Sequence, residues 1–190
     1  MRRLERLIRL LFWRLSLDPQ KLRTVSYGGM RLWHRPFDRL PLRGVGAEIG
    51  VYRGMHAKDL LWLHSGIDEL WLVDPYAEFA GGLPYLPEAR VAAHRTFKNS
   101  GQIRWLEVGS PACANHLPDL DFCYIDGSHE YEAVRRDIAA LWPKIRPGGV
   151  LGGHDFFEGF PGVIRAVTEF AVSNHLQLMV KDPDWWIYRT

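Results

Sequence analysis

The residues whose types could do chemistry fall in short stretches. Glu48-Ile49-Gly50-Val51-Tyr52-Arg53-Gly54 is a glycine-punctuated turn. Gly50 there lets backbone approach a ligand closely, and Gly54 admits the start of a helix. A dinucleotide cradle would carry glycine where Tyr52 stands, so the turn suits a ligand without phosphates better than a pyrophosphate. Asp74 follows about 20 residues later, the spacing at which a carboxylate accepts hydrogen bonds from both hydroxyls of a ribose. Turn and carboxylate together point to an adenosine-containing ligand. Further along, Asp126-Gly127-Ser128-His129 and His154-Asp155 set carboxylates beside imidazoles. Asp126 and Asp155, with His154 next to them, suit a divalent cation such as Mg²⁺, water filling its other positions. The competing reading makes His129 a helix cap and Asp155 the start of a loop turn.

The hydrophobic pattern puts each stretch just after a strand. Strands are predicted over Val45 to Val51, Glu69 to Asp74, Ile103 to Val108, Leu120 to Asp126 and Val150 to Gly153. Helices are predicted over Met55 to His64, Pro87 to Lys98, His129 to Lys144 and Val163 to Val172. The third of these has Tyr131, Val134, Ile138, Leu141 and Ile145 on its apolar face and Glu132, Arg135, Arg136 and Asp137 toward water. Pro147-Gly148-Gly149 reads as a turn. Leu176 to Lys181 and Trp185 to Arg189 read as an antiparallel hairpin around Asp182-Pro183-Asp184. Strand-helix alternation gives a parallel α/β sheet, doubly wound, with helices on both faces. Such sheets bind ligands outside the carboxyl ends of their strands, where the chemistry-bearing stretches lie.

Composition narrows the rest. At 190 residues and 47% hydrophobic, the chain is long and apolar enough for one globular core. A net charge of +2 gives no sign of a nucleic-acid partner. Cys113 and Cys123 fit no metal spacing and read as small buried residues of a reducing compartment, hence a cytoplasmic location. Residues 1–43 form a distinct basic helical segment. Arg2, Arg3, Arg6, Arg9, Arg14, Lys21, Arg23, Arg31, Arg35, Arg39 and Arg43 are opposed only by Glu5, Asp18 and Asp38. Leu4, Leu7, Ile8, Leu11 and Leu15 recur at helical spacing up to Asp18-Pro19, so residues 1–17 read as a lid helix or as a contact with a partner or an anionic membrane surface.

At these residues the chain resembles the class I S-adenosylmethionine-dependent methyltransferases. The similarity is to a small group with an EIGVYRG first motif and a later block that reads here from Leu120 to Phe156. It runs from about Gly44 to Arg189, so that 44–190 would be the cofactor-binding domain. The resemblance implies a Rossmann-like sheet of seven strands, mostly parallel with an antiparallel last strand. It also implies that the turn of Glu48, Gly50, Tyr52 and Gly54 meets the methionine portion and ribose of S-adenosylmethionine, that Asp74 meets the ribose hydroxyls, and that Ser110 lies near the adenine. Asp126 borders the cofactor, and by similarity to metal-dependent O-methyltransferases Asp126 and Asp155 match carboxylates that hold Mg²⁺. Two departures stand out: His154 replaces an acid found in several relatives, and His56 stands where a small hydroxyl residue is expected.

The chemistry so implied is transfer of a sulfonium methyl to oxygen. An alcohol needs a base or a metal at neutral pH, and His129 or His154 suits the base role, with Asp126 beside them as the third catalytic residue. The expected partner is a small-molecule acceptor bearing a hydroxyl, a sugar or natural product, with self-association left open. Trp33, His34, Phe37, Phe79 and Tyr85 are the aromatic residues that would line its pocket. Rival readings are a nicotinamide-dependent oxidoreductase, for which a YxxxK pair is lacking, a non-catalytic scaffold or membrane-associated binder, and a nitrogen methyltransferase, whose Pro-Pro-Tyr motif is absent after the fourth strand.

Overall fold

In the computed structural model, residues 44–77, 87–181 and 183–190 are described, all inside His34–Thr190, one of two compact units of the chain. The expectations for residues 1–43 and for Phe79 and Tyr85 lie outside the described residues. The elements are β1 (Gly44–Ile49), α1 (Met55–Leu63), β2 (Ile67–Val73), α2 (Pro87–Phe97), β3 (Ile103–Leu106), β4 (Leu120–Ile125), α3 (Tyr131–Leu141), β5 (Ile145–Gly153), α4 (Pro161–Ser173), β6 (Leu178–Lys181) and β7 (Asp184–Tyr188). They build a seven-stranded sheet in the order β3-β2-β1-β4-β5-β7-β6. β1 to β5 are parallel, and β7 runs antiparallel between β5 and β6, as expected for the last strand. Strand order reverses between β1 and β4, so a crevice opens at their carboxyl ends.

The central strands are apolar because both faces are covered. Ala47, Ile49, Cys123, Ile125, Leu151, Trp185 and Ile187 pack with Val134, Ile138, Leu141, Val163 and Val167 of α3 and α4 into one core. Both cysteines are free and buried there, and burial pushes the Cys123 thiol well up. None of the described helices is long and apolar enough to cross a membrane.

Two local expectations are corrected. Pro147-Gly148-Gly149 is no turn but an irregularity inside β5, which pairs Ile145 with Leu120 and resumes with Val150 on Phe122. Gly149 makes that possible: a Cβ on it would come 2.7 Å from the Asp121 carbonyl oxygen. Asp137 does not face water. It is buried on α3, and that burial pushes its carboxyl up to about 6. The predicted helix ends earlier as well, passing into a 3₁₀ turn over Trp142–Lys144 where Pro143 removes a donor.

Candidate active site

The sheet gathers the predicted residues at one edge. The Asp126 N–H donates to the Ile49 carbonyl at 2.7 Å, Gly50 N–H to the Val73 carbonyl at 2.8 Å, and His154 N–H to the Ile125 carbonyl at 3.0 Å. Strand pairing alone therefore stands the exits of β1, β2, β4 and β5 side by side.

The glycine turn is left-handed at Gly50 (φ 89°), Tyr52 (φ 50°) and Gly54 (φ 74°). A Cβ on Gly50 would lie 2.2 Å from the Asp126 carbonyl oxygen, so this glycine serves the close approach of β1 and β4. On Gly54 a Cβ would lie 2.7 Å from the Phe97 ring, so the second glycine lets α1 start against α2. Asp74 braces the turn from β2. Its Oδ2 accepts the N–H groups of Val51 and Tyr52, each at 2.9 Å, and its Oδ1 accepts that of Tyr76 at 2.8 Å. The Tyr76 hydroxyl closes the ring by donating to the Tyr52 carbonyl at 3.2 Å. Burial and the nearby carboxylates of Asp74, Glu107 and Glu48 hold the Tyr76 phenol well above its usual range. Nothing in the sequence marked Tyr76 out except its place two residues after Asp74. Glu48, at the end of β1, is fully buried, with Oε2 lacking any hydrogen-bond partner. The Ser110 hydroxyl is buried after β3, beside Cys113 and Asp137.

The second cluster joins β4 and β5. His129 Nε2 stands 2.7 Å from Asp155 Oδ2, and His154 Nδ1 stands 2.8 Å from Asp155 Oδ1 and 3.9 Å from Asp126 Oδ1. Asp155 thus lies between two imidazoles. Burial alone would push its carboxyl up, but the hydrogen bonds and charges of His129 and His154 bring it well below the ordinary carboxylate range. Asp155 takes up this position with a left-handed backbone, φ 64°. His129 is not the helix cap: Glu130 is, and the His129 ring stacks on Phe160 at 4.1 Å. Phe157 meets Phe160 edge-on at 5.1 Å, so the β5–α4 loop supplies an aromatic wall beside the imidazole that the sequence reading missed. Asp126, His154 and Asp155 each offer a ligand atom, all within 4.8 Å of one another. Two carboxylates and an imidazole fit a divalent cation, and the nitrogen donor favours a softer ion than Mg²⁺.

A methyltransferase domain family matches residues 47–156, more than half of the chain and every titratable residue of both clusters. The chain belongs to that methyltransferase family. No curated protein matches it. Among solved structures this methyltransferase is similar to the O-methyltransferase NovP, at 22% identity over 81% of this chain and 74% of that one, with a TM-score of 0.56. It is also similar to CalS11, a TDP-rhamnose 3′-O-methyltransferase of calicheamicin biosynthesis, at 16% identity over 76% and 71% of the two chains, TM-score 0.57. A third is MycE of the mycinamycin pathway, solved with Mg and S-adenosylhomocysteine, at 16% identity over 90% of this chain and 54% of that one, TM-score 0.60. At such identities the likeness carries the fold.

Proposed function

We propose that this methyltransferase transfers a methyl group from S-adenosylmethionine to a hydroxyl of a small molecule, a sugar or a natural-product ring, with His129 as general base. The observation that carries the reading is the His129–Asp155 contact of 2.7 Å at the mouth of the cofactor crevice. An Nε2 proton donated to Asp155 leaves the acceptor lone pair of His129 on Nδ1, and Asp155 stabilises the imidazolium once a proton is taken. His154 is fixed by the same carboxylate, but its side chain is only 9% exposed against 23% for His129, so His129 is the imidazole an acceptor can reach. The Phe157–Phe160 wall suits the flat or apolar face of a ring. O-methylation is also what the names of NovP and CalS11 record for those proteins.

The crevice suits the cofactor on its own terms. Its turn exposes backbone between β1 and α1, and the orphaned Glu48 Oε2 is an acceptor awaiting a cation such as an ammonium. When bound, S-adenosylmethionine supplies an already activated methyl, displaced in line with a neutral thioether leaving. This chain therefore has to align donor and acceptor and to accept one proton. Asp126, His154 and Asp155 would hold a divalent cation, which would lower the pKa of the acceptor hydroxyl. The acid–base contact between His129 and Asp155 stands without it.

The test is calorimetric titration of S-adenosylhomocysteine, first in EDTA and then in Mg²⁺ or Mn²⁺, followed by a product assay over hydroxylated and amine acceptors. Micromolar binding with turnover confined to hydroxyl acceptors is the expected result. Absence of binding by a folded sample would refute the reading, and turnover on amines alone would refute its oxygen specificity.

A further inference from the structure

The described sheet ends at β3, and the helix beside that strand reaches over its edge. α2 buries Ala89, Ala93 and Phe97 on one face. Val91, His94, Arg95 and Lys98 recur at helical spacing and share another face. β3 is the outermost strand, so no further strand of the sheet covers that face. A cavity of about 560 Å³ opens there, lined also by Ile103 and Trp105 of β3 and by Ser100 of the intervening turn. It shares no residue with the crevice, and two strand spacings, about 10 Å, separate β3 from β1. The aromatic floor is held in place. The His94 ring stacks on Trp105 at 3.9 Å, and the Phe97 ring meets Trp105 at 6.2 Å. Glu107 lies 2.7 Å from His94 Nε2 and accepts hydrogen bonds from Arg90 with both oxygens. Glu107 is thereby engaged by His94 and Arg90, and Glu69 by Arg104. Among the described residues Arg95 and Lys98, both exposed, have no acidic partner. The cavity thus sets Val91, 52% exposed, and the half-buried Trp105 beside two uncompensated cations. A solvated helix face is polar and a packed one apolar; a concave face that is both has the make-up of a small-molecule pocket.

We propose that this groove is a second binding site, separate from the methyl-transfer crevice, for a ring-bearing anion whose flat ring lies against Trp105 and Val91 and whose carboxylate or phosphate is taken by Arg95 and Lys98. The guanidinium fork of an arginine matches the paired oxygens of either acid, and the lysine adds a compact charge beside it. Trp105 offers the aromatic surface on which a ring packs, and the Ser100 hydroxyl supplies one further donor or acceptor. Each half of the ligand answers a different part of the wall. An anion without a ring would leave Trp105 and Val91 facing water, and a neutral ring would leave the two cations uncompensated. The volume falls in the usual small-molecule range of about 300–1,000 Å³, with room for a mononucleotide or a two-ring aromatic acid. The site does not depend on the methyl-transfer reading, since none of these side chains takes part in that chemistry.

The test uses anilinonaphthalene sulfonate, an aromatic anion that fluoresces on leaving water, titrated into the full chain. The double variant Arg95→Gln, Lys98→Gln should weaken dye binding by about tenfold or more, and Val91→Asp should do the same by setting an acid in the groove. All three positions are exposed, so these variants should fold as the wild type does, which thermal unfolding checks. Arg135→Gln, which removes an exposed cation from α3 instead, should leave dye affinity within about twofold. Uridine monophosphate and naphthoate are then competed against the dye. Displacement by the first marks a nucleotide site and by the second an aromatic-acid site, and either supports the proposal. A wild type without a saturable dye signal would overturn it, as would equal weakening by Arg135→Gln. Displacement by neither competitor, or equally by inorganic phosphate, which has no ring, would overturn it too. Excess S-adenosylhomocysteine should leave the signal unchanged; displacement by it would put the dye in the crevice and end the claim of a second site.

Discussion

One substitution can separate the ribose contact that the resemblance implies for Asp74 from its brace of the glycine turn. As a ribose anchor its loss would cost only cofactor affinity; as the brace of the glycine turn it would also cost stability with nothing bound. Asp74→Ala removes the acceptor for three backbone N–H groups, those of Val51, Tyr52 and Tyr76. Val51 and Tyr76 are buried, and a buried donor left unpaired costs about 1–3 kcal/mol, whereas the exposed Tyr52 N–H returns to water at small cost. The sum is about 3 kcal/mol, which for a chain of this size lowers Tm by about 6–12 °C. Release of the turn should weaken S-adenosylhomocysteine by about 100-fold or more, since about 3 kcal/mol is two decades of affinity. Asp74→Asn keeps one acceptor oxygen and should fall between. Thermal unfolding without ligand, followed by calorimetric titration, reads the two effects independently. An Asp74→Ala protein that melts within 2 °C (roughly half a kcal/mol) of the wild type would refute the brace. One that also binds S-adenosylhomocysteine within about threefold would refute both roles.

Asp155→Asn keeps the shape and tolerates the left-handed backbone at this position, but deprives one histidine of its acceptor; turnover in a product assay should fall about 10²- to 10⁴-fold with S-adenosylhomocysteine affinity within about threefold. Gly50→Ala sets a Cβ 2.2 Å from the Asp126 carbonyl at φ 89° and should cost more than about 3 kcal/mol in urea unfolding, while Gly101→Ala, with nothing within 4 Å, should stay within about 0.5 kcal/mol. Asp137 has its folded pKa raised to about 6, so its contribution to stability is present below the unfolded value near 4 and is lost as pH rises through 6. Asp137→Asn should therefore raise Tm at pH 7.5 and leave it unchanged at pH 4; an equal gain at both would show that burial of the charge is not the cause.

Strands buried on both faces and helices with one apolar stripe leave strong marks in a sequence, which is why β1, β2, β4, α1 and α4 lie within two or three residues of where periodicity puts them. The misses have local causes. Asp137 follows two arginines on a helix whose polar flank looks continuous, and periodicity cannot tell that the ring of contacts closes over it. Pro147-Gly148-Gly149 has the composition of a turn, yet the chain passes straight through as a bulged strand because glycine fits against the Asp121 carbonyl. For the site, the alternation rule delivers which residues leave the sheet at its carboxyl edge. It does not deliver who pairs with whom. The Asp155–His129 contact spans two strand exits, the Asp74 brace runs from one exit to the turn of another, and the approach of His56 to Glu48 arises only where α1 settles on the sheet.

The described non-glycine residues with positive φ are Tyr52, Tyr76, Asp155 and His175, and the first three lie at this one edge. For a side chain larger than glycine that conformation costs about 1–2 kcal/mol. Two of the three are held by a carboxylate, Asp74 gripping the N–H groups of Tyr52 and Tyr76, and the third, Asp155, is a carboxylate gripped by two histidines. The same acids that face the reaction crevice therefore also keep its walls bent. A substitution that only removed a charge would be felt as a change of shape as well, and for that reason the variants above are read by binding and unfolding together rather than by turnover alone.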